Sequence, residues 1–150
     1  MSLKQWANDG WLRPHQTSPQ EIADLLGIIE RDLADAEGNI SPDWRFGIAY
    51  NGVLKLCTIL VQASGYRVEK NMQHYRTIAA LPLVLGEQRK DDADYLDVCR
   101  RKRNTTEYDR AGGATIEDAS ELVAFAKELR ADVLDWLNQH HPDLVPKKRA

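Results

Sequence analysis

Cysteine, histidine and strongly basic character are scarce in this 150-residue chain, and each scarcity excludes a class of function. The two cysteines, Cys57 and Cys99, are far apart and each sits in a helix-like segment, so they read as small core residues of a reducing compartment. The four histidines, His15, His74, His140 and His141, fall in separate segments except for the last pair. No CxxC, HExxH or spaced carboxylate set accompanies them, and no metal site is expected. Gly112-Gly113 lacks the lysine and the preceding strand of a phosphate-binding loop, while Ser64-Gly65 and Ser120 have no partnered base. No cofactor is expected either. A formal charge of −3 argues against a global basic field for nucleic acid and leaves only local patches, residues 100–103 and the tail Lys147-Lys148-Arg149. No apolar run is expected to span a membrane, the first residues lack a signal-type hydrophobic region, and the expected location is cytoplasmic.

Helix signals fill the chain. Apolar content of 43% and charge of 29% suit one globular domain with a proper core. Residues 3–13 predict a short helix or turn bearing Trp6 and Trp11 and ended by Arg13-Pro14. Ser18-Pro19-Gln20-Glu21 carries a cap, a proline at the first helical position and a glutamate to close a capping box. Ile22, Leu25, Leu26, Ile29, Leu33 and Ala36 follow at helical spacing. Ser41-Pro42-Asp43 opens a third helix, apolar over much of its circumference and therefore expected at the centre. Residues 66–70 predict a connector, and 74–85 a helix that bends or restarts near Pro82. Residues 91–108 predict a helix with Tyr95, Val98 and Cys99 facing inward, and Thr115 with Glu117 and Asp118 starts the last one. No stretch alternates like a strand. These patterns predict an all-α, single-domain bundle of four main helices with short additional ones over 1–142, followed by a short basic tail, 143–150.

The richest chemistry lies in RRKRNTTEYD, residues 100–109, which gathers four cations, an amide, carboxylates and a phenol. Helical phase brings Arg100, Arg103, Asn104, Glu107 and Tyr108 to one side. Such a face suits a phosphate or a polar subunit seam, since unpaired charge is seldom buried. The plainer reading is a solvated helix end, where cations suit the negative end of the macrodipole. Tyr50-Asn51, midway along the apolar third helix, reads either as a satisfied polar residue at a helix contact or as a group that faces the Arg103 cluster across the bundle, and both can hold at once.

Arg103-Asn104-x-x-x-Tyr108-Asp109 resembles the motif of HEPN domains, in the branch that carries R-N-x-x-[DE]-Y-D. The likeness extends through WLRPHQTSPQEIADLLGIIERDLADA, AYNGVLKL, ASGYRV, HYRTIAAL and LRADVLDWL, in order and over nearly the whole chain. It implies an up-and-down four-helix bundle that forms a homodimer with the motif helices near the two-fold axis. Active members are metal-independent endoribonucleases with R-N-x-x-x-H, in which the Arg steadies the scissile phosphate and the His handles the proton. Arg103 and Asn104 match that pattern, and Tyr108 stands at the His position. Arg100, Arg101, Lys102, Glu107 and Asp109 are the flanking candidates for RNA or partner binding, with helix phase favouring Arg100 as the aid to Arg103.

The Tyr108 replacement lowers the expected chemistry. A general base works best near the working pH; imidazole titrates at about 6.5 and a phenol at about 10, so only about one Tyr in a thousand is ionised at neutrality. The resulting expectation is an RNA- or nucleotide-associated component of a toxin–antitoxin or defence-type system with weak or no ribonuclease activity. The alternative is a non-catalytic module that pairs with and regulates a minimal nucleotidyltransferase, with Tyr108 as a contact anchor or nucleotide acceptor. The plainest option is an orphan bundle whose motif only shapes the dimer.

Overall fold

A computed structural model describes residues 1–104 and 113–146. Its described residues are predominantly helical, with seven α-helices: α1 (Leu3–Asn8), α2 (Pro19–Ala36), α3 (Pro42–Ala63), α4 (Gln73–Ala79), α5 (Leu81–Leu85), α6 (Lys90–Asn104) and α7 (Ile116–His140). The all-α expectation holds at that level. One small exception is an antiparallel pair, β1 (Leu12–Pro14) with β2 (Tyr66–Val68), in register Leu12 opposite Val68. Glu69 N–H to the Trp11 carbonyl and His15 N–H to the Gly65 carbonyl prolong it. Three-residue strands are too short to show alternation, which is why residues 12–14 and 66–68 read as a helix end and a connector.

Helix α3 is central, packed along both α2 and α7, while α6 lies against α4 and α3. Phe46, Val53, Leu56, Ile59 and Leu60 from α3 meet Ile22, Ile29, Leu122, Leu129 and Val133 in one core. Gly52 faces Asp32 and Leu33 of α2, where a Cβ would meet the Leu33 side chain at an ordinary contact distance of 3.7 Å. Contrary to the sequence expectation, α3 is long and apolar enough to cross a membrane, with mean hydropathy 1.3 over its most apolar window. The reason is burial: 61% of that window lies inside the fold, and a helix enclosed on several sides is apolar on several sides. A second, smaller cluster of Trp6, Leu12, Val61 and Ala80 seats α1 and the strand pair on the far end of α3.

The starts of α2, α3 and α7 follow their sequence signals with two changes, the first being that Ser41 heads α3 without a side-chain cap bond. Ser18 accepts from the Glu21 N–H at 3.1 Å, but the Glu21 carboxylate does not close a capping box. It bonds His15 at 2.6 Å and Thr17 at 2.8 Å instead. Thr115 and Asp118 do form a reciprocal capping box on α7. The chain breaks between α4 and α5 just before Pro82, and Gly86, at φ +116°, ends α5. Val98, expected inside, is 51% exposed, because Ala93, Leu96 and Cys99 occupy the inward face of α6. Packing also continues beyond residue 142, with a 3-10 turn at Pro142–Leu144 that buries Leu144 in the main core.

Candidate functional site

The site grows from the last turn of α6. Its helical phase sets Arg100, Arg103 and Asn104 toward α4 and α3, all three half-buried. Arg100 is held by Asp97 one turn earlier, with Nε to Oδ1 at 2.9 Å. Its guanidinium lies 5.6 Å from the centre of the exposed Tyr75 ring on α4. Arg103 lies 5.5 Å from the centre of the buried Tyr50 ring on α3. The Tyr50 ring in turn stands 6.2 Å from the imidazole of His74, tilted by 47°. Two cations, two aromatic rings and an imidazole therefore meet where α3, α4 and α6 converge.

A recess of about 400 Å³ opens here, lined by Lys70, His74, Tyr75, Arg100 and Asn104 among others. It is open rather than enclosed and of a size that holds a small polar ligand. A larger recess of about 770 Å³ lies between the strand pair and α3, lined by Arg13, Arg67, Thr58 and Gln62 among others. None of the motif residues line it, and Arg13 is tied to Glu69. The smaller recess is the one with the convergent chemistry.

Electrostatics divide the titrating groups of the site. Burial, then the charges of Arg103, Arg100 and Lys55, hold the His74 imidazole below its ordinary value, so it is neutral at neutral pH. Burial pushes the Tyr50 phenol up, with Arg103 and Arg100 only partly opposing it. The Tyr50 hydroxyl is buried and has no hydrogen-bond partner among the described residues. A polar group left in that condition calls for an explanation, and a functional site is one of the common ones. Lys55, the third cation near His74, also faces the nearly buried Asp32 at 3.8 Å, which Arg31 contacts at 3.1 Å.

The remaining cations of the run point elsewhere. Lys102 reaches across to Asp118 in the α7 cap at 2.9 Å, and Arg101 is exposed, with Asp97 at 3.5 Å. The run thus splits by helical phase into Arg100, which lines the recess, Arg103, which lies inward over Tyr50, and residues that tie or decorate the helix end. Glu107, Tyr108 and Asp109 lie outside the described residues. On either side of that stretch, Lys102 holds Asp118, and the Ala114 N–H donates to Asp43 Oδ1 at 3.1 Å.

Tyr50 does face Arg103 across the fold. The residue that sequence reasoning missed is His74, weighed there only as a metal ligand. Its sole sequence signal was its place at the head of HYRTIAAL, because it comes within the field of the Arg pair only through the folding of α4 against α6. No group of three or more His, Cys, Asp or Glu among the described residues is placed to hold a metal ion. Both thiols are buried, and burial pushes Cys57 up to about 12 and Cys99 to about 11, which makes them poor nucleophiles. Compared with protein-family profiles, curated proteins and solved structures, the chain has no significant match.

Proposed function

We propose that this protein binds RNA or a nucleotide through its phosphate at the Arg100–Arg103–Asn104 face, as a homodimer of the HEPN type within a toxin–antitoxin or defence-type system. The observation that carries the reading is the convergence of Arg100 and Asn104 with His74 and the Tyr75 ring in one open recess, with Arg103 next to it over the Tyr50 ring. Arginine pairs suit phosphate, since the guanidinium fork offers several donors in the geometry of the phosphate oxygens. An exposed aromatic ring beside it suits a base, which stacks regardless of sequence. The side-by-side packing of α2, α3 and α7, with α6 against α3, supports an up-and-down four-helix bundle. Tyr108 by itself gives weak or no cleavage, because its phenol is a poor base at neutral pH.

The test is fluorescence anisotropy of a labelled single-stranded RNA with purified protein over a salt series. Wild type is expected to bind with an affinity that falls steeply as salt rises, and Arg103→Ala to weaken binding by about tenfold with a shallower salt slope. Binding that ignores both salt and Arg103 would sink the proposal.

A further inference from the structure

We infer that His74 is the proton-handling residue of this site: its imidazole takes the proton of a ribose 2′-hydroxyl while Arg100 holds the adjacent phosphodiester and Arg103, behind it over the Tyr50 ring, adds positive charge. The inference rests on the RNA reading above and deepens it, by supplying on α4 the base that the motif itself lacks.

Three features place the role on His74. It lines the same recess as Arg100 and Asn104, so a phosphate bound to Arg100 there would lie within the reach of its ring. It stands 6.2 Å, ring centre to ring centre, from Tyr50, the same ring over which Arg103 lies at 5.5 Å. Half-buried at the head of α4, it follows Met72, whose backbone takes the left-handed conformation at φ 53°. Non-glycine residues hold that conformation at a cost of about 1–2 kcal/mol, so the turn that presents His74 is imposed by its surroundings.

The charged and titratable groups around the ring come from every neighbouring element. They are Arg100 and Arg103 on α6, Lys55 and Tyr50 on α3, and Lys70 before α4, with Asp97 engaged by Arg100. Burial first, and then Arg103, Arg100 and Lys55, favour the neutral imidazole, the state a general base needs. Once an anionic phosphodiester occupies the recess, part of their charge is compensated and the imidazole becomes easier to protonate.

The step balances without a co-reactant. The 2′-oxygen attacks phosphorus as its proton passes to the imidazole, the O2′–P bond forms and the P–O5′ bond breaks. The proton then passes from the imidazolium to the departing 5′-oxygen. The products are a 2′,3′-cyclic phosphate and a 5′-hydroxyl, and His74 returns to the neutral form.

The experiment measures RNA cleavage and RNA binding side by side in chelator, across pH, for wild type, Arg103→Ala, Tyr108→Phe, His74→Gln and His74→Ala. Wild type is expected to release cyclic-phosphate ends with a kcat/KM that rises with pH and levels off below the ordinary imidazole range. His74→Gln is expected to lose about 100-fold in kcat with little change in RNA affinity, the usual size of a lost acid–base group. Added imidazole should restore part of the rate to His74→Ala, which a merely structural role would not permit, and far-ultraviolet dichroism checks the fold of each variant. Cleavage that survives in His74→Gln but is lost in Tyr108→Phe overturns the inference and leaves the RNA reading standing. RNA bound but uncut by wild type also overturns it. RNA neither bound nor cut defeats the RNA reading itself.

Discussion

His74 and Tyr50 show how far one side chain's surroundings reach. The folded value of His74 lies below its ordinary 6.5, so the unfolded chain takes up a proton that the folded chain refuses. The stabilising effect is therefore complete above about 6.5 and declines as pH falls from there through the depressed value. Urea midpoints measured from pH 7 to pH 5 should fall for wild type and fall less for His74→Gln. Tyr50 offers the opposite kind of test. Its buried hydroxyl has no partner among the described residues, so Tyr50→Phe is expected to raise stability by about 1 kcal/mol at unchanged denaturant slope. Neither property was legible in the sequence. Helical phase alone could set Arg100 and Arg103 on one face, but the ring that meets them comes from another helix.

Among the elements, α7 depends most visibly on a local signal. Thr115 and Asp118 cap it reciprocally, and Lys102 adds a charged contact to the same carboxylate. Thr115→Ala should cost about 1 kcal/mol of stability by chemical denaturation and loosen the hold of Asp118 on the end of α6. The starts of α2, α3 and α7 and the break at Pro82 were readable because caps, prolines and apolar spacing are properties of consecutive residues. The β1–β2 pair was not, since its strands are three residues long and belong to segments far apart in the chain. The outward turn of Val98 escaped notice for a related reason. Tyr95, Val98 and Cys99 share a helical side, and only the packing of α6 on its neighbours chose which of them would be covered.

For the whole molecule, the core around α3 sets stability, and the exposed Val98 of α6 is the place to test the proposed dimer. Leu122, fully buried where α7 meets α3, should cost about 2–5 kcal/mol when changed to Ala, read as a lower melting temperature. Sedimentation is expected to give twice the 17.0 kDa chain mass, and Val98→Glu on the exposed side of α6 to shift it toward one chain. A wild-type chain that sediments as a monomer at all concentrations would remove the dimer from the proposal. Composition and periodicity by themselves determined the helical class, the helix starts, the central place of α3 and the cationic face of α6. All of these follow from neighbours three or four positions apart. Only tertiary structure decided that Lys102 would turn away to Asp118, and that His74 and Tyr50 would close on Arg103. Those contacts join helices whose relative placement is a compromise of packing over the whole core, and no short stretch of sequence encodes such a compromise.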